Sequence, residues 1–209
     1  TIRAINARRT MLDLILSDHP KDCLTCEKNG NCTLQQIAAE MDLHHIIYEG
    51  EQSTYEVDLA NQSIVRDLNK CIMCRRCETA CNEVQTVGIL SGIGRGFEAV
   101  VAPADGMPLA DTKCVFCGQC VAACPVGALT EMSHKYPVWQ ALNNPKKTVV
   151  VQTAPAVRVA IGEEFGLEPG SIATGKMVTA LKMLGFDAVF DTDFAADLTI
   201  MEETTELIE

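Results

Sequence analysis

Residues 71 to 81 read Cys71-Ile-Met-Cys74-Arg-Arg-Cys77-Glu-Thr-Ala-Cys81, and residues 114 to 125 read Cys114-Val-Phe-Cys117-Gly-Gln-Cys120-Val-Ala-Ala-Cys124-Pro125. Each cysteine of the first stretch has a counterpart 43 positions later, so the chain carries two copies of one CxxCxxCxxxC unit. Cysteines two residues apart do not readily bridge to each other, but their thiolates can converge on a metal. A third group, Cys23, Cys26 and Cys32, raises the total to eleven, an odd number that cannot all pair as disulfides. No secretory leader opens the chain, so a reducing, cytoplasmic setting is expected, and there clustered thiols mean metal.

The doubled spacing is that of the bacterial two-cluster ferredoxin run, in which three cysteines hold one 4Fe-4S cube and the fourth reaches across to the other. One cluster is then expected on Cys71, Cys74, Cys77 and Cys124, and the second on Cys114, Cys117, Cys120 and Cys81. The fourth cysteine is expected at the start of the next helix, pointing away. Zinc is the alternative, because CxxC pairs also bind it, but eight cysteines in this pattern divide poorly into tetrahedral sites. Asn82 stands where the motif has proline after its fourth cysteine, which questions the local turn and not the ligand.

The first group has three cysteines for a cube that needs four ligands. His19 precedes Cys23 by four residues, giving HxxxCxxCxxxxxC and a ligand total of twelve, enough for three 4Fe-4S clusters. The competing reading of His19 is an exposed histidine at a helix end beside Pro20. His44, His45 and His134 lack cysteine neighbours and read as solvated or packed.

Around these groups the expected fold is α+β in three parts. Residues 1–62 form a small His/Cys 4Fe-4S domain, 63–145 a two-cluster ferredoxin-like domain, and 146–209 the beginning of an α/β domain. Helices are expected over residues 8–17 and 34–41, joined to the ferredoxin-like part by a connector (44–62) with one or two short strands. β-rich stretches fall at 88–90 and 97–102, and Gly92-Ile-Gly-Arg-Gly96 reads as a tight turn, since its spacing does not fit GxGxxG. After Cys124 the pattern alternates: a buried strand at 148–153, helices at 157–165 and 174–184, a strand at 188–190 and a helix from Ala195.

With 17 Lys and Arg against 28 Asp and Glu, the net charge of −11 argues against nucleic acid and anionic membrane surfaces. The apolar runs are too short for a membrane span. Thr1 is not Met and Glu209 ends what reads as an unfinished helix, so the sequence is expected to be a piece of a longer chain. The chemistry expected is one-electron relay, with no hydrolytic triad or phosphate loop in view.

The order HxxxCxxCxxxxxC, twice CxxCxxCxxxC, then Thr153-Ala-Pro-Ala-Val-Arg158, Thr174-Gly-Lys176 and Phe190-Asp-Thr-Asp-Phe-Ala-Ala-Asp-Leu-Thr-Ile-Met-Glu-Glu203 resembles the N-terminal iron-sulfur region and the start of the catalytic domain of FeFe hydrogenases. The first group alone also resembles formate dehydrogenase and NADH dehydrogenase large subunits, and the later segment separates them. The resemblance implies an anaerobic oxidoreductase that interconverts protons and dihydrogen at an H-cluster, expected only in the full-length parent. It implies that Ala154, Pro155 and Ala156 lie beside that centre; read locally, they are a strand-to-helix turn with Pro155 at the first helical position. The H-cluster needs four further cysteines, and residues 125 to 209 contain none, so this segment alone is expected to be inactive. Implied partners are ferredoxin or NADH/flavin-containing subunits and the remainder of the catalytic domain. The alternatives are a stand-alone iron-sulfur carrier, or the N-terminal part of a formate or NADH dehydrogenase large subunit.

Overall fold

The computed structural model describes residues 1–209, which form two compact units, Thr1–Met132 and Ser133–Glu209. Helix α1 (Ile2–Asp18) begins six residues before its expected start, because the Thr1 hydroxyl caps it by accepting from Ala4 N–H. It ends where His19, preceding Pro20, turns extended. Helix α2 (Thr33–Glu40) falls as expected.

The expected strands in 44–62 do not form; one bridge, Asp58 to Arg66, is all the pairing there. Side chains satisfy this connector's backbone instead. Buried Asp13 accepts from Ile47 N–H at 3.1 Å, Asp18 accepts from Ser53 N–H at 2.6 Å, and Asn69 both accepts from and donates to the Tyr55 backbone.

Strand β1 (Ile64–Arg66) runs just ahead of the first cysteine repeat, and α3 (Arg76–Thr79) continues from that repeat into a π-helical turn, Ala80–Val84. Strands β2 (Ser91–Ile93) and β3 (Val100–Ala102) form an antiparallel hairpin in the insert. β2 falls after the stretch expected at 88–90 and takes Gly92 and Ile93 from the expected turn, and β3 is confined to the end of 97–102, because Gly96–Glu98 is a 3-10 turn. Gly94 needs its positive φ of 72° and its missing side chain there, since a β-carbon would stand 2.6 Å from the Glu98 carbonyl oxygen. The second repeat leads into α4 (Gln119–Ala123) and β4 (Leu129–Glu131). Strands β1 and β4 pair antiparallel, Val65 opposite Thr130, so the start of the first repeat is tied to the end of the second. Ile64, Leu90, Leu109, Val121, Val126 and Leu129 form the core between them.

Contrary to expectation, the fourth cysteines do not begin a helix. Cys81 lies inside the α3–π run and Cys124 just past the end of α4. In the first repeat the wide π turn, closed by Gln85 N–H on the Ala80 carbonyl, redirects the chain. Asn82 fits that turn where proline is expected: its side-chain amide donates to the Leu90 carbonyl at 2.9 Å.

The second unit opens with α5 (Lys135–Leu142), followed by β5 (Val150–Thr153), α6 (Val157–Ala160), α7 (Thr174–Leu184), β6 (Ala188–Asp191) and α8 (Thr192–Ile208). β5 and β6 pair in parallel, Val151 opposite Val189, with α6 and α7 in the crossover, the α/β pattern expected. The expected helix 157–165 is broken into α6 and a 3-10 turn, Glu163–Phe165, with glycines at 162 and 166. The strand is less buried than expected: Val150 is exposed, because the sheet has two strands. α8 begins at Thr192, capped by Asp191, whose carboxylate accepts from Asp193 N–H. No helix is long and apolar enough to cross a membrane.

Candidate metal centres

The eleven cysteines and His19 line three cavities of the first unit. The first cavity is lined by Cys71, Cys74, Cys77 and Cys124, together with Arg66, Leu90 and Val126. The second is lined by Cys81, Cys114, Cys117 and Cys120, with Ile64, Leu90 and Leu109. The third holds His19, Cys23, Cys26 and Cys32, with Asp22, His44 and Gly127 at its wall. Each cavity therefore gathers the four side chains grouped by spacing, including the exchange of Cys81 and Cys124 between the repeats. The third cavity is the roomiest, about 350 Å³, and the first and second are tight, about 20 Å³ each. No three His, Cys, Asp or Glu groups converge closely enough for a single metal ion. The thiols ring a space in each cavity instead of meeting at a point, an arrangement that suits a cluster of several metal ions.

The loops that carry the thiols have the same backbone in both repeats. Met73 and Phe116, 43 positions apart, have φ of 54° and 52°, and Arg75 and Gly118 have 59° and 75°. Left-handed residues at matching positions help aim backbone N–H groups at the cysteine sulfurs, which favours thiolates. Several of these N–H groups already point at sulfur. Phe116 N–H donates to Cys114 Sγ and Ile89 N–H to Cys81 Sγ, both at 3.4 Å, and the Cys71 sulfur accepts from the N–H groups of Met73 and Val101.

Burial, reinforced by the neighbouring thiols Cys71, Cys124 and Cys74, pushes the Cys77 thiol up to about 12. Burial pushes Cys120 up to about 11, with Cys114, Cys117 and Cys81 adding to the rise. Such thiols stay protonated near neutrality, and only a positively charged occupant lets four of them ionise together, releasing protons as it binds. At His19, burial is the largest influence and outweighs Asp22, so its pKa lies below the ordinary histidine value. A neutral imidazole is the form that can ligate.

Beside the first cavity, Arg66 and Asp58 form a buried ion pair, 5% and 7% exposed at their side chains. Burial pushes the Asp58 carboxyl up, but hydrogen bonds from the Leu109 and Ala60 N–H groups and the Arg66 guanidinium outweigh it, leaving the pKa below the usual carboxylate value. Lys70, which precedes the first cysteine, bridges Asp22 and Asp67. None of these charged groups, nor Gly127, stands out in the sequence as part of a site. The one available signal is their position: Arg66 and Lys70 lie just ahead of Cys71, and Gly127 just after Cys124-Pro125.

His44 reaches the third cavity but is exposed and paired with Asp42 at 2.8 Å, in keeping with its reading as a solvated group. Ala154, Pro155 and Ala156 lie in the second unit as an exposed turn after β5. Pro155 is not at the first helical position, because α6 starts two residues later, after Ala156.

Residues 147–209 match the family described as iron only hydrogenase large subunit, C-terminal domain. Residues 8–46 match the NADH-ubiquinone oxidoreductase-G iron-sulfur binding region, and residues 110–130 a 4Fe-4S binding domain. Over its whole length the chain is 60% identical to the NADP-reducing hydrogenase subunit HndD of Solidesulfovibrio fructosivorans, and over 99% of its length it is 37% identical to iron hydrogenase 1 of Clostridium pasteurianum. It spans 36% of the length of each. An NAD+-reducing NiFe hydrogenase, solved in its H2-reduced state, superposes with a TM-score of 0.59 at 25% identity, covering 64% of this chain and 57% of that one.

Proposed function

The chain belongs to the iron-only hydrogenase large subunits, and from that membership we propose that it is their electron-transfer portion, built around three 4Fe-4S clusters. The observation that carries this reading is the set of three cavities, each walled by four of the twelve side chains. The ligands proposed are Cys71, Cys74, Cys77 and Cys124; Cys114, Cys117, Cys120 and Cys81; and His19, Cys23, Cys26 and Cys32. When bound, each cube takes up and releases one electron, so three in series relay electrons between a redox partner and the hydrogen-converting centre.

The chain's own residues supply what a relay needs. Leu90 lines both ferredoxin-like cavities, keeping a dry wall between them. The loop Cys124-Pro125-Val126-Gly127 lies between the first cavity and the third, with Gly127 against Cys26. The sites therefore run in the order His19 group, Cys71 group, Cys114 group. Backbone N–H groups on cysteine sulfurs favour the more negative, reduced state.

The three-part division at residues 62 and 145 belongs to this proposal, as does the placement of Ala154, Pro155 and Ala156 beside the H-cluster of the complete enzyme. Redox partner subunits that handle NADH or NADPH are supported by relatives named for NADP and NADH chemistry, and ferredoxin or flavin-containing partners by the family resemblance. The match of residues 147–209 to a hydrogenase domain favours this reading over a stand-alone carrier or a formate dehydrogenase. In a test, the anaerobically loaded chain should accept electrons from a strong reductant, pass them to a one-electron dye, and turn over no dihydrogen. Dihydrogen turnover by residues 1–209 alone, or failure to accept electrons, would contradict it.

A further inference from the structure

Arg66 is held on one side and unpartnered on the other. Its Nε and Nη2 each lie 3.3 Å from Asp58 Oδ2, and Nη2 also donates to the Met107 carbonyl at 3.0 Å. The remaining nitrogen, Nη1, is buried and has no acceptor in the protein. A charged donor without an acceptor is costly to bury, and native proteins rarely leave one so. Arg66 forms part of the wall of the cavity that gathers Cys71, Cys74, Cys77 and Cys124.

The internal repeat supplies a built-in comparison. The position 43 residues after Arg66 is Leu109, which lines the twin cavity, and the counterpart of Arg75 is Gly118. The loop N–H groups recur in both repeats and so cancel in the comparison, whereas the guanidinium occurs at one site alone. Asp58 engages Nε and Nη2 and fixes the fork, which leaves Nη1 as the free end of the guanidinium.

We propose that Arg66 Nη1 donates a hydrogen bond to a sulfur of the cluster held by Cys71, Cys74, Cys77 and Cys124, and so makes this cluster the higher-potential member of the pair. The inference rests on the ligand assignment proposed above. A donor to cluster sulfur stabilises the extra negative charge of the reduced state, which raises the reduction potential. Of the two ferredoxin-type clusters, this is then the one on which a single electron rests. Asp58 acts as a positioning residue, through Arg66.

The test is pulsed electron–nuclear double resonance on the reduced parent chain, labelled with 15N-arginine and purified with its clusters. A 15N coupling is expected on one ferredoxin-type cluster, the one whose signal changes in Cys74→Ser. The coupling should persist in Arg75→Lys and vanish in the paired variant Asp58→Asn, Arg66→Leu, which removes both buried charges together. In potentiometric titration that paired variant should bring the cluster down toward its twin, with the Cys114 site unmoved. If the Cys74-sensitive cluster is present but shows no arginine coupling in wild type, the inference is overturned and the ligand assignment stands. If no cluster signal responds to Cys74→Ser, the assignment itself fails and the inference with it.

Discussion

The sulfur of Cys26 lies 2.6 Å from the point where a β-carbon on Gly127 would stand. The loop behind the last cysteine of the second repeat thus abuts the first cysteine group, and Thr33 N–H, opening α2, donates to the Pro125 carbonyl at 3.0 Å. Two motifs almost a hundred residues apart in sequence share one seam.

Gly127→Ala should therefore act on the first group and spare the repeats. No backbone strain is involved; the added methyl simply occupies the sulfur's place, and Cys26 must move. The expected outcome is loss of about 4 iron of roughly 12, with the ferredoxin-type signals intact by EPR. Full iron content and an unchanged spectrum would show that Cys26 is not a ligand.

Replacing His19 should also affect one cluster. A neutral imidazole leaves the cube one charge less negative than a fourth thiolate, which favours reduction, so His19→Cys should retain the cube and lower its potential. His19→Ala should make it labile, with loss toward a three-iron form. His44→Ala, at the rim of the same cavity, should change neither cluster content nor potential. Identical titrations of wild type and His19→Cys would return His19 to a plain helix-end residue.

Asp58 and Arg66 make a stability prediction that is independent of redox chemistry. Asp58→Ala leaves a buried guanidinium unpaired and should cost about 3–5 kcal/mol in denaturant unfolding. The Asp58 carboxyl has a folded pKa below its unfolded value, so the stabilisation it adds is present above the unfolded value of about 3.9 and is lost as pH falls through the lower folded value. The stability difference between wild type and Asp58→Asn should accordingly hold steady near neutrality and shrink on acidification below about pH 4. A difference that stays constant down to acid unfolding would count against the pair's role.

The cysteine spacing made the grouping of all twelve candidate ligands legible, because a repeat of 43 residues and a fixed loop length encode it locally. Helix α7 and the α/β order were equally legible from the alternation of apolar strand and helix patterns. What escaped the sequence depends on distant partners. Nothing in residues 44–62 announces that Asp13, Asp18 and Asn69 satisfy its backbone in place of a strand. Arg66 reads as an ordinary strand residue until Asp58, Leu109 and the cavity surround it. Gly127 looks like a turn glycine until Cys26 is seen against it.

The most direct test of the three-cluster relay is iron and acid-labile sulfide counted per chain after anaerobic reconstitution, with Mössbauer spectra of the 57Fe-loaded protein. Three cubes require roughly 12 iron and roughly 12 sulfide, all in 4Fe-4S form. About 8 of each would remove the His19 site from the relay, and zinc bound in place of iron would contradict the reading as a whole.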